Sequence, residues 1–136
     1  MIDPQEIIDA RSSGDIRCLG ISEPSEDLGQ VLVQAGLKPD SSQLREHDRA
    51  TAHAILAAIL QKDMPFQMPL MSRPEAEQMA DAILSAYGKA GSRYYSNGNW
   101  LDGEITDSLT DSPFAVGIIV ASGEGRYFCI WIEDKD

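Results

Sequence analysis

The side chains able to do chemistry are few, and their spacing decides how to read them. His47-Asp48 has the form of a metal-binding pair, and His53 is the other histidine of the chain. On one helix a six-residue separation puts His47 and His53 about 120° apart around the axis, so they could not share a metal as an i, i+4 pair would. Both are expected on the solvated half of a helix. Cys129 would need a nearby base and an electropositive setting to act as a nucleophile, yet Phe128, Ile130 and Trp131 surround it and the next charges are acidic, which raises a thiol pKa. Glu133-Asp134 could suggest acid and base work, but adjacent strand residues point to opposite faces. A solvated chain end is the simpler account of that pair. Gly117 and Gly123-Glu124-Gly125 match no phosphate-cradling spacing. No catalytic residue, metal or cofactor is therefore expected, and Cys18 and Cys129 are expected to be reduced and buried rather than disulfide-bonded.

The elements divide into a helical front and a sheet-forming back. Asp3-Pro4-Gln5-Glu6 has a capping aspartate, a proline at the first helical position and a glutamate three residues after the cap, which predicts a short first helix. A strand is expected around Ile16 to Ile21. Leu28, Val31, Leu32 and Ala35 follow helical spacing, and Gly36, Lys38 and Pro39 stop that second helix. A third helix is expected from about Ser42 to Lys62, with its second half, Ala50 to Leu60, at the centre of the core. Prolines break Met64 to Met71, whose Met, Phe and Leu side chains suggest a loop on apolar surface. Ser72-Arg73-Pro74-Glu75 is a capping box that starts a fourth helix, with Ala76, Met79, Ala80, Ile83 and Tyr87 as its stripe and Gly88 or Gly91 as its end.

From Ser92 the spacing changes to strands and turns. Asn97-Gly98 tolerates the positive φ of a type I′ turn, which predicts a hairpin with Tyr94, Tyr95 and Trp100 pairing across it. Residues 101 to 112 are expected to form a loop or weak strand. Phe114 to Ala121 is β-branched, and Ser122 to Gly125 turns it back onto Tyr127 to Ile132 as a second hairpin. The last strand is apolar on both faces: Tyr127, Cys129 and Trp131 share one side, Phe128, Ile130 and Ile132 the other. It is therefore either central or has one face awaiting a partner. The pattern predicts a single α+β domain over residues 1–136, with about four helices in 1–91 packed on an antiparallel sheet in 92–136.

Of 136 residues, 22 are acidic and 11 are Lys or Arg, a formal net charge of -11. That balance repels phosphate backbones, so nucleic-acid binding is not expected, whereas a basic protein would be drawn in and oriented before contact. No stretch approaches the ~20 apolar residues of a membrane span and no basic segment with an apolar core opens the chain, so a cytoplasmic location is expected. Aromatics that dominate binding hot spots, Tyr94, Tyr95 and Trp100, stand in sequence near the acids Asp107, Asp111, Glu133, Asp134 and Asp136. These eight residues are the candidate partner-binding set, the aromatics as anchors and the acids for steering.

The run Ser92 to Trp100, then Leu109-Thr110-Asp111-Ser112-Pro113-Phe114, then an apolar strand and Cys129-Ile130-Trp131-Ile132-Glu133-Asp134 resembles small acidic immunity proteins of bacterial contact-dependent and type VI toxin systems. The resemblance covers the C-terminal third. It implies a cytoplasmic, non-enzymatic protein that binds one cognate toxin domain, with no individual contact residue assigned. The alternative is an adaptor acting through homodimerisation or edge pairing of its two-faced last strand. Monomer and homodimer both remain open on the sequence.

Overall fold

A computed structural model of the chain describes residues 3–11, 14–21, 28–62, 68–88, 91–99, 104–105, 109–110, 115–122 and 126–134. Four helices and a five-stranded antiparallel sheet make the α+β architecture. The helices are α1 (Pro4–Ala10), α2 (Leu28–Gln34), α3 (Arg49–Gln61) and α4 (Arg73–Tyr87). The strands are β1 (Asp15–Ile21), β2 (Arg45–His47), β3 (Arg93–Ser96), β4 (Gly98–Asn99), β5 (Glu104–Ile105), β6 (Ala115–Ala121) and β7 (Tyr127–Glu133). The main sheet has the order β1-β7-β6-β3-β2, and β4 and β5 form a separate pair. Helices and strands interleave: β1 and β2 come from the first 91 residues, which the sequence pattern assigns mainly to helix.

The two-faced last strand is explained by its neighbours. β7 pairs with β1 on one side and β6 on the other, so it is an interior strand and offers no edge to a partner. Both faces of the sheet are covered. On one face Phe128, Ile130 and Ile132 join Val116, Ile118 and Val120 under α3 and α4, with Ile55, Leu56, Ile59, Leu60, Ile83 and Leu84 fully buried between them. On the other, Cys129, Trp131 and Ile119 pack against Val31 and Leu32 of α2 and against Leu109. An antiparallel sheet commonly leaves one face to water; here neither is left, so the central strands carry apolar residues on both faces. Gly117 lies in register with Trp131.

Local signals place most helix ends. The Asp3 side chain accepts from the Gln5 N–H, and the Ser72 hydroxyl accepts from the Glu75 N–H at 3.2 Å. α2 ends at Gly36, whose φ of 77° is a left-handed value that a side chain would strain.

Two expectations are corrected. α3 begins at Arg49, because Asp48 caps it by accepting from the Thr51 N–H at 2.7 Å. The segment before it, expected as helix, is instead a 3-10 turn (Ser41–Gln43) followed by β2, which pairs with β3. His47 accordingly lies on a strand rather than on the third helix. The Asn97-Gly98 hairpin does not form. β3 has β6 on one side and β2 on the other, the Asn97 side chain is buried and donates to the Ala115 carbonyl, and Gly98 pairs onward with Ile105. Turn propensity at Asn-Gly is overridden because β3 gains two partners instead of one.

The Asp48 cap makes a pH prediction. The Thr51 N–H holds the Asp48 carboxyl below its ordinary value. A depressed folded-state pKa means that the cap's contribution is complete above the unfolded-state value and is lost as pH falls through the folded one. Asp48→Asn keeps a capping side chain but removes that titration, so acid unfolding followed by circular dichroism should show a shallower loss in the range below the ordinary Asp value.

Candidate partner-binding surface

The buried charges at one end of the sheet organise the surface around them. Arg11, just past α1, donates from Nη1 and Nη2 to the two carboxylate oxygens of Asp134, each at 2.8 Å, and from Nε to the Ile59 carbonyl at 2.8 Å. The two side chains are 0% and 2% exposed. Asp134 is therefore not part of a solvated chain end. It is the internal half of an ion pair, and its carboxylate is turned away from any partner.

On the opposite face of the sheet Arg17 donates to Glu133. This pair lies in a cleft of about 310 Å³ lined by Arg17, Gly36, Leu37, Lys38, Leu109, Thr110 and Glu133. Four segments build it: β1, the turn after α2, residues 109–110 and the end of β7. The Lys38 N–H holds two of them together by donating to the Leu109 carbonyl at 2.8 Å. A second, more open and more apolar recess of about 460 Å³ lies beside α2, lined by Gly29, Gln30, Val33, Gln34, Pro39 and Ser41.

The other candidate residues are scattered. Tyr94 is 4% exposed in the helix-covered core, where its hydroxyl accepts from Arg49. Tyr95 is partly exposed on the α2 face, in register with Ile119 and Glu46. Tyr95 and Glu133 share that face but are two strands and four residues apart, roughly 17 Å. Trp100, Asp107, Asp111 and Asp136 lie outside the described residues.

The groups considered for chemistry are also accounted for. His47 Nε2 is 2.6 Å from the Ser96 hydroxyl, which ties β2 to β3, and Ser96 is fully buried, so its oxygen is not presented to a substrate. Burial lowers the His47 pKa against the opposing pull of Asp48, which favours the neutral ring. His53 reaches across to α4, 3.3 Å from the Glu77 carbonyl and 3.0 Å from Asp81. Among the described residues no three His, Cys, Asp or Glu side chains converge as a metal site would require.

Cys18 and Cys129 are both free thiols, and burial pushes each up to about 12, with Asp3 adding to the rise at Cys18 and Cys18 to that at Cys129. In the folded protein at about pH 8, iodoacetamide should leave Cys129 unmodified and label Cys18 far more slowly than a free thiol, and denaturant should release both. Rapid native labelling of Cys129, read by mass spectrometry, would contradict its placement.

The face that sequence reasoning did not single out is the α1–β1 side. Asp3, Glu6, Asp9 and Asp15 are exposed there, while Arg11 and Arg17 are held in ion pairs. Arg17, set between Ile16 and Cys18 in the strand, was a usable signal that a carboxylate waits opposite. Arg11 carried none, since Asp134 is 123 positions away. No helix among the described residues is long and apolar enough to cross a membrane. Comparison with protein-family models, curated proteins and solved structures finds no match to this chain.

Proposed function

We propose that this protein is a cytoplasmic immunity protein that neutralises a cognate bacterial toxin domain by direct, tight binding. The toxin is a nuclease or another enzyme with a basic groove, for which clustered carboxylates imitate phosphate. The observation that best supports this reading is the net charge of -11, with exposed carboxylates on the α1–β1 side whose neighbouring arginines are internally paired. Glu133 lines the cleft with Arg17, where a basic side chain of the toxin can compete for it. Of the candidate aromatics, Tyr95 is partly exposed and available as an anchor, whereas Tyr94 is buried.

The test is capture of the tagged protein's partner from cells of its host, followed by reconstitution. A basic domain recovered in stoichiometric amount, whose enzymatic activity is titrated to zero at one equivalent, supports the reading; recovery of bait alone, or of a partner whose activity is untouched, defeats it. Replacing Asp3, Glu6 and Asp9 with their amides should slow association and flatten its salt dependence while leaving the dissociation rate nearly unchanged.

A second reading, a non-enzymatic adaptor that pairs by a sheet edge, is favoured by one observation: among the described residues the longer of the two edge strands, β1 and not the last strand, has no partner on its outer side. Light scattering across a hundredfold concentration range separates a self-paired dimer from a monomer that keeps this edge for a foreign chain.

A further inference from the structure

We infer that the outer edge of β1 takes up an extended, basic segment of a partner protein as a sixth strand, with a large apolar side chain of that segment lying across Gly20. This deepens the proposed function and rests on its basic partner.

The sheet has two edges of unequal kind. β2 is three residues long, whereas β1 runs seven residues in unbroken register with β7, as long as the central strands. Its exposure matches an open side: β6 and β7 are buried except at their ends, while β1 is half-buried along its middle and exposed at Asp15 and Gly20. Among the described residues no strand pairs with the outer side of β1. Such an edge presents a row of backbone N–H and C=O groups, and proteins that keep it unpaired blunt it with proline, lysine, a bulge or shortness. β1 has no proline, lysine or bulge and is not short, and its charged residues are Asp15 at its start and Arg17, which is paired with Glu133 on the sheet face.

Among the described residues nothing requires glycine at position 20: its φ is not left-handed, and a Cβ built there meets none of them within 4 Å. Glycine inside a strand is a net cost to folding, so the isolated fold would be better served by almost any β-former. It leaves open space in register with Phe128, whose ring stacks on Tyr87 at 3.7 Å. In an added strand the residue opposite Gly20 would lay its side chain over the glycine toward that stack.

Charge selects the occupant. α1 packs on the helix-covered face beside β1 and exposes Asp3, Glu6 and Asp9, and Asp15 opens the strand. α1 contacts β1 directly, so these carboxylates stand beside the strand. A second copy would bring the same carboxylates and a further -11 of charge to the contact. A segment carrying Lys or Arg on the side facing α1 meets them with opposite sign.

The experiment uses the full chain, labelled with nitrogen-15, and two strand-forming peptides: one alternates valine with lysine around a central phenylalanine, the other has glutamate for every lysine. The basic peptide should shift the amides of residues 15–21 and slow their hydrogen exchange, and the acidic peptide should do neither. Asp3→Asn with Glu6→Gln and Asp9→Asn, which keeps a capping side chain at position 3, should weaken the basic peptide roughly tenfold. Gly20→Val should weaken it by about the same factor without lowering the melting temperature, and Gly20→Ala serves as the milder variant.

Protection anywhere but β1, equal binding of both peptides, or a dimer that protects β1 without peptide overturns the inference. A neutralised toxin whose complex leaves the β1 amides exchanging as in the free protein defeats the edge assignment and leaves the proposed function standing. Peptide capture at β1 together with a toxin screen that recovers only bait does the opposite.

Discussion

Replacing Arg11 with methionine should lower the unfolding free energy by about 3–5 kcal/mol, because it leaves the Asp134 carboxylate buried without its cation. For a single domain whose whole stability is of order 5–15 kcal/mol, that loss brings the protein close to unfolding at ambient temperature. The guanidinium does more than neutralise charge. It donates to both Asp134 oxygens and to the Ile59 carbonyl at 2.8 Å, and to the Lys62 carbonyl at 3.3 Å. Ile59 is in the last turn of α3 and Lys62 caps its end, and that last turn has no basic residue of its own. Arg11 therefore supplies donors to a helix end whose carbonyls lack intrahelical partners. Asp134→Asn should cost nearly as much, since the arginine is then the stranded charge. The double variant Arg11→Met with Asp134→Leu should recover most of the loss, because a buried pair replaced by apolar groups is often neutral. Urea unfolding of the parent, Arg11→Met, Asp134→Leu and the double variant gives the coupling directly. Single variants that each lose under about 1 kcal/mol would mean that water reaches the pair.

Gly117→Ala should destabilise by about 3 kcal/mol, at the upper end of what one added methyl costs in a filled core. An alanine Cβ at this position would stand 2.3 Å from the Ile130 carbonyl oxygen and 2.5 Å from the Trp131 ring. The first neighbour is backbone of the paired strand and the second is a fully buried indole packed against α2. Neither can give way like the end of a flexible side chain, so β6 and β7 must separate or the tryptophan must leave its place. Trp131→Leu in the Gly117→Ala background should restore part of the loss, since it removes one of the two obstacles. Gly20→Ala is the matched control on the same sheet and should be neutral or gain about 0.5–1 kcal/mol. Thermal unfolding of both glycine variants separates the two cases, and a Gly117→Ala protein that melts with the parent would show that the sheet has room the geometry denies.

These two sites differ in how far they could be read in advance. Gly117 interrupts a β-branched run, a visible oddity, but what it accommodates depends on which strand lies beside it. Arg11 follows a seven-residue helix with no local cue to its partner. The candidate set divides in the same manner. Tyr95 remains at the surface, whereas Tyr94 and Asp134 are interior, because an aromatic or an acid in a strand is equally compatible with core and rim until the layers on either side are known.

Where neighbours in the chain act on one another, the sequence alone determined the outcome. The Ser72 and Asp3 caps, the left-handed stop at Gly36 and the β6–β7 hairpin around Ser122 depend on hydrogen bonds and φ angles within a few residues, and they lie where the spacing puts them. Net charge was equally legible. Tertiary structure decided the rest, because strand partners lie far away in sequence. It turned Arg45–His47 from helix into a strand beside β3, dissolved the Asn97-Gly98 hairpin in favour of two-sided pairing, placed β7 inside the sheet and left the open edge at β1. Local propensities differ by about 1 kcal/mol or less per residue, and pairing plus burial across a whole strand outweighs them.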